Sequence, residues 1–377
     1  MQEARGPLRG MRVLEVAGLG AGPFCAMVLA DMGADVVRVD RPSSGTGTGV
    51  LGRGKRSITV DLKSAGGVDL LLRLVGAADV VVEAFRPGVA ERLGFGPAAC
   101  LARNPRLVYA RATGWGQDGP WSSMAGHDID YIALSGVLSM IGPSGGPPVP
   151  PLNLLGDFGG GGLALAFGVT CALIEAARSG WGQVVDGAMV DGSALLATLI
   201  YELVAMGGWR EERGANALDG GAPYYATYET ADGRWLAIGA VEPQFYRRLL
   251  EGLGLAGAPL PEQGDRARWP ELRDAIAAAV RRRTRDEWER EFAGTDACVA
   301  PVLTPSEVAG HPQHAARGTF VDVGGVRQPA PAPRLSRTPG GVRGPAPVPG
   351  ADTDAVLPEW GIDGATIAAC RRSGALG

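Results

Sequence analysis

The first 120 residues alternate between two rhythms. Short runs rich in apolar and β-branched residues predict strands at MRVLEVA (11–17), DVVRVD (35–40), SITVDLK (57–63), DVVVEAF (79–85) and LVYARATGWG (107–116). Between them the apolar spacing is helical, at GPFCAMVLADMGA (22–34), GGVDLLLRLVGAA (66–78) and the shorter PAACLARNP (97–105). Strands separated by about ten helical residues pair in parallel through right-handed crossovers. The pattern therefore predicts α/β structure with an open, mostly parallel, Rossmann-like sheet. The turn GLGAGP (18–23) joins the first strand to its helix. It departs from G-x-G-x-x-G and sets Pro23 where a dinucleotide needs close backbone approach, so we read a packing turn and no nicotinamide or flavin site.

Beyond residue 120 the rhythm is mostly helical. DIDYIALSGVLSMIG (128–142) places Ile129, Ile132, Ala133, Gly136, Val137 and Met140 on one face, and further helices are predicted at 158–178 and 192–207. Residues 221–241 alternate around an ADG turn at 231–233, which predicts a hairpin, with helices at 243–254, 270–283 and 285–293. The expected organisation is a large lobe over 1–205, completed by 330–377, and a smaller α+β lobe over 225–320. Segments 206–224 and 321–350, the latter rich in Pro and Gly, are expected to be extended linkers. IDGATIAACRRSG (362–374) predicts a short helix docking back on the first lobe.

Composition narrows the classes. A formal net charge of −4 leaves no global electrostatic footprint for nucleic acid. The five cysteines are scattered, with no C-x-x-C or Cys/His cluster, so neither zinc nor a disulfide framework is expected and a reducing, cytoplasmic setting is. The charge-free run 158–174 is at the short end for a membrane span and opens with glycines, and a buried helix is expected instead.

Three residues stand out as candidate chemistry. His127, one of three histidines, precedes a helix, whose positive end favours a neutral, proton-accepting imidazole; a structural histidine is the alternative. Asp157 stands where an N-cap belongs, before four glycines within DFGGGG. A plain cap needs no glycines, since each weakens a helix by roughly 1 kcal/mol relative to Ala. The run thus signals either open backbone N–H groups for an oxyanion or a close helix contact. Glu242 precedes Pro243 and a helix, where capping is the plain reading. No G-x-S-x-G marks a hydrolase.

Longer stretches carry a resemblance. Residues 6–42, VVVEAFRPGVAERLGFG (80–96) and YARATGWGQDGP (109–120) are similar to the family III (CaiB/BaiF-like) CoA-transferases. AGHDIDYIALSG, PPLNLLGDFGGGG and residues 213–246 look like the α-methylacyl-CoA racemase branch of that family. The resemblance runs from about residue 6 to about 336. It implies an intertwined homodimer acting on 2-methyl-branched acyl-CoA, with CoA as part of the substrate and no separate cofactor. It further implies His127 and Asp157 as the two acid/base groups of a 1,1-proton transfer through an enolate, with Glu242 beside His127 and Asn153 beside Asp157. Arg41, Arg86 and Arg92, with Leu19, Asp61, Lys63 and Asp128, are the implied CoA contacts. A transferase using Asp157 as an acyl-anhydride nucleophile, and a non-catalytic CoA-binding protein, are the alternatives. No nucleic-acid or membrane partner is expected.

Overall fold

The computed structural model describes residues 5–16, 18–42 and 49–377. The chain divides into two compact units. The first comprises Met1–Ser135, Pro151–Ala197 and Ala315–Gly377, and the second Gly136–Pro150 and Thr198–His314. The second unit thus takes in 136–150 and the whole segment expected as a linker at 206–224, and the first begins its final stretch at 315.

The first unit is built on six parallel strands: β1 (Arg12–Val16), β2 (Asp35–Asp40), β3 (Arg56–Thr59), β4 (Val80–Glu83), β5 (Val108–Thr113) and β6 (Val184–Ala188). Their order is β3-β2-β1-β4-β5-β6, with every neighbouring pair parallel. Five strands match the predicted runs, although residue 17 of the first lies outside the described residues. β6 escaped prediction. It is five residues long and half-exposed, so it lacks the continuous apolar run of the inner strands. The crossovers carry α1 (Ala21–Asp31), α2 (Ala65–Val75), α3 (Val89–Leu93) and α4 (Pro97–Arg103), followed by α5 (Asp128–Leu134). The helix predicted over 128–142 stops early, because Gly136 takes φ +79° and a 3₁₀ turn (Val137–Met140) follows.

The next helix is the unusual one. Leu154–Leu163 winds as a π-helix and runs directly into α6 (Ala164–Ser179). Together they span 26 residues and contain an 18-residue window of mean hydropathy 1.6, long and apolar enough to cross a membrane. Within the unit, Gly160, Gly161, Gly162, Leu165, Ala166, Val169, Ala172 and Ala176 are buried. α7 (Met189–Leu196) and α8 (Thr198–Ala205) replace the single helix predicted at 192–207.

Two cores flank the sheet. One gathers α1, α6 and the strand residues Val13, Val36, Val80, Val82, Val108 and Ala110. The other gathers Leu14, Val37, Ile58, Val81 and α2 with Val356 and Leu357 of helix Thr353–Glu359, its C-cap Trp360, and Cys370 of helix Gly364–Arg372. The docking of the last predicted helix onto the first lobe is therefore observed. The stretch expected as a linker also holds an antiparallel hairpin, β10 (Phe320–Val323) with β11 (Val326–Pro329).

The second unit contains the predicted hairpin, β7 (Tyr225–Glu229) with β8 (Trp235–Gly239), joined by β9 (Val299–Pro301). α9 (Pro243–Gly252), α10 (Trp269–Val280) and α11 (Arg285–Phe292) pack Leu249, Leu272, Ile276 and Trp288 against it. Arg285 at the start of α11 holds Glu307 through two hydrogen bonds of 2.9 Å, and the Thr304 N–H donates to the same carboxylate at 2.8 Å. These bonds hold the Glu307 carboxyl down to about 2. The unfolded chain takes up this proton first as pH falls, so the stabilisation is complete above about 4.5 and is lost toward pH 2. Glu307→Gln should flatten the acid limb of stability in that window, read as urea midpoints at pH 3 and 6. Equal midpoint differences at both pH values would contradict this.

Candidate active site

The strand order reverses between β1 and β4, and open α/β sheets bind ligands at that reversal, beyond the carboxyl ends of the strands. A cavity of about 410 Å³ lies there. Its walls come from the turn after β1 (Leu19, Gly20, Ala21), from the stretch after β4 (Phe85, Arg86) and from the end of β5. His127 and Asp157 both line it.

His127 is the N-cap of α5 and is exposed; its N–H donates to Asp130 Oδ2 at 2.9 Å. The turn carrying it is wedged in place by Tyr131. The Tyr131 hydroxyl donates to the Gly126 carbonyl, and its ring packs edge-on against Trp115 at 4.8 Å. Glycine is required at two points around this ring. A Cβ at Gly114 would lie 2.1 Å from it, and one at Gly126 2.7 Å. Burial pushes the Tyr131 hydroxyl up to about 12, with the charges of Asp157 and Asp130 adding to it, so it stays a hydrogen-bond donor at neutral pH. Tyr131 and Trp115 line the cavity, and the sequence reading passed over both. The signal was the glycine beside each element, in TGWG and AGHDIDY.

Asp157 is not an N-cap. The π-helix begins three residues earlier, with Asn153 as its cap residue and Asp157 in its first turn. Asn153 makes no side-chain cap bond and instead donates from Nδ2 to Asp157 Oδ2 at 3.2 Å. The glycines that follow serve close packing. A Cβ on Gly160 would fall 2.6 Å from the Ser193 nitrogen, one on Gly162 2.7 Å from the Ala21 carbonyl oxygen, and one on Gly192 of α7 1.9 Å from the Gly160 carbonyl oxygen. Of the two meanings open for the glycine run, the close helix contact is the one present. The N–H groups after Asp157 are committed to the i→i+5 coil, so they are not the open oxyanion donors expected from sequence. The start of α1, with no side-chain cap, borders the cavity instead. The first turn of α1 is anchored by the buried Lys55 ammonium, which bonds the Pro23 carbonyl at 2.9 Å and Glu15 at 2.5 Å.

The implied CoA contacts divide into groups. Leu19, nine-tenths exposed, and Arg86, exposed beyond β4, line the cavity. Arg41, Asp61 and Lys63 lie just past β2 and β3 and Arg92 in α3, all outside its lining. The Asp61 carboxylate accepts the Lys63 N–H at 3.0 Å. Asp128 is buried and turned to the protein interior, where Oδ2 accepts the Asp157 N–H at 2.7 Å, an arrangement unlike that of an exposed ligand contact. Glu242 belongs to the second unit, exposed at the N-cap of α9 without a cap bond from its side chain. Among the described residues no cluster of His, Cys, Asp and Glu is arranged to hold a metal.

Comparison with known proteins shows the family and the fold. The chain is 53% identical over 357 residues to the mouse protein named alpha-methylacyl-CoA racemase, covering 94% of this chain and 93% of that one. Identity to the human protein of the same name is 49%, over 94% of each chain. Among solved structures, a CAIB/BAIF family protein from Brucella suis superposes with a TM-score of 0.81 at 27% identity, covering 94% of this chain and all of that one. The profile of CoA-transferase family III matches residues 8–353, nearly the whole of the α/β unit and all of the second, and the chain belongs to that family.

Proposed function

We propose that the chain is a racemase that interconverts (2R)- and (2S)-2-methylacyl-CoA thioesters. The observation that carries this reading is that His127 and Asp157, from segments thirty residues apart in sequence, line one cavity at the sheet's ligand edge. The identity to the mouse and human racemases supports it. In one direction neutral His127 takes the α-proton and leaves a planar enolate, and protonated Asp157 gives a proton to the opposite face. The reverse direction exchanges the roles. Asn153 orients the Asp157 carboxylate. The enolate oxygen needs donors besides these two groups, since general acid/base action supplies roughly 100- to 10,000-fold. The N–H groups at the start of α1, where no side chain caps the helix, fill that role. Arg41, Arg86 and Arg92 serve the phosphates of CoA, and the reaction needs no cofactor beyond the substrate's own CoA.

The test is incubation with a 2-methylacyl-CoA in heavy water. Deuterium should enter the α-carbon as the epimers equilibrate. An enzyme that incorporates none, yet yields an acyl-Asp157 adduct trapped by hydroxylamine, would be a transferase instead.

The working unit in this reading is an intertwined homodimer in which Glu242 of one protomer steadies the His127 imidazole of its partner. An exposed apolar stripe on α6 supports it. Leu163, Phe167 and Ile174 are each at least half exposed, with Trp181, Leu195 and Leu196 exposed in the same unit. Phe167→Glu should shift the protein from dimer to monomer in sedimentation and abolish exchange with it. A fully active monomer would remove Glu242 from the site.

A further inference from the structure

We propose that Asp128 is the positioning residue that holds the two proton-transfer groups in register, through its own peptide to His127 and through its carboxylate to the N–H of Asp157. The inference rests on the racemase reading of the same cavity and adds to it a residue that acts through others. A helix start leaves its first N–H groups without partners, and a side chain at the cap usually takes one. Asn153 occupies that position in the π-helix, but its amide is spent on the Asp157 carboxylate. Asp128, twenty-nine residues away in sequence, supplies the missing cap: Oδ2 accepts the Asp157 N–H at 2.7 Å, and the Gly156 N–H is directed to the same carboxylate. Gly156 is required for this approach, since a Cβ there would lie 2.7 Å from Oδ2.

The arrangement is costly to the fold, which argues that it serves the site. Asp128 is only 6% exposed, and its Oδ1 is buried with no hydrogen-bond partner. Burial pushes the carboxyl upward, and the charge of Asp157 adds to that, while the two N–H groups act against them. In return the backbone of one acid/base residue is bonded to the side chain of the immediate neighbour of the other. A proton-transfer pair working from opposite faces of one carbon depends on that spacing, because a displacement of about 1 Å can cost on the order of 100-fold in rate.

Asp128→Ala separates this role from a general structural one. Inversion needs both groups correctly spaced, whereas exchange with retention needs only one of them. Inversion should fall about 100-fold, and heavy-water exchange with retention at the epimer served by His127 less than tenfold, with KM within threefold. The ratio of exchange to inversion therefore rises more than about tenfold. Loss of folded protein lowers both together and leaves that ratio unmoved. Asp128→Asn keeps one acceptor for the Asp157 N–H and should recover inversion to within about tenfold of the unaltered chain. It also carries the test if the alanine variant does not fold, its ratio then rising two- to threefold. An unchanged ratio in every variant that folds, or inversion within threefold in Asp128→Ala, overturns the inference while the racemase reading stands. An unaltered chain that neither inverts nor exchanges overturns both.

Discussion

His127→Ala lowers the inversion of 2-methylacyl-CoA by about 1,000- to 10,000-fold, the upper part of what a positioned acid/base group supplies. Asp157→Asn, equal in size and unable to carry the proton, lowers it by a similar factor. In the proposed mechanism each inversion uses both groups, so either variant should fail in both directions. Exchange does not fail in the same way. Without His127 the epimer whose α-proton faces Asp157 still exchanges with heavy water, and without Asp157 the other epimer does. Two pure epimers, each incubated with each variant and followed by mass and chiral analysis, give four measurements that should show this crossed pattern. Inversion by His127→Ala within tenfold of the unaltered chain would remove the imidazole from the mechanism.

Gly192→Ala has the largest expected effect on stability. Its new methyl group would lie 1.9 Å from the Gly160 carbonyl oxygen, 2.5 Å from the carbonyl carbon and 2.7 Å from the Gly160 α-carbon, all backbone. No side chain can swing away to relieve this, so α7 and the π-helix must separate. Overpacking of this kind costs roughly 1–3 kcal/mol and occasionally more. The thermal midpoint should drop by several degrees, at about 2–4 °C per kcal/mol for a unit of this size. Activity should fall beyond what unfolding explains, because the displaced coil carries Asp157. Gly364→Ala is the control. It opens the helix Gly364–Arg372 with nothing within 4 Å of its added carbon, and it should be neutral to slightly stabilising. Equal midpoints for the two variants would refute the close contact.

Much of the α/β unit was legible because its inner strands are continuous apolar runs and its crossover helices have a clean periodicity. Val80–Glu83 and Val108–Thr113 could be found that way, whereas Val184–Ala188 at the sheet edge could not. His127 and Asp157 stood out by residue type and position, but their proton-transfer roles came from the family resemblance and their settings were only partly legible. Asp157 before glycines reads as a helix start. The coil actually begins at Leu154 and winds as a π-helix packed closely against α7, a contact that no local pattern encodes. The bond from Asp128 to Asp157 is equally invisible to periodicity, because it joins two helix starts that only the folded sheet brings together. The division into units failed at 136–150 for a related reason: one helical rhythm ran through Gly136, where the backbone turns left-handed.

The last helices of the chain cover one face of a sheet made from its first third, with Val356, Leu357 and Trp360 closing over Leu14, Val37 and Ile58. During synthesis that face is complete long before its cover exists. At roughly 5–20 residues per second the interval is on the order of ten seconds or more, with the part of that face not covered by α2 open to the solvent throughout. The nascent protein therefore presents that uncovered apolar surface until its last helices close over it. A chain halted before residue 353 would carry an intact His127 and Asp157 and still be prone to aggregate.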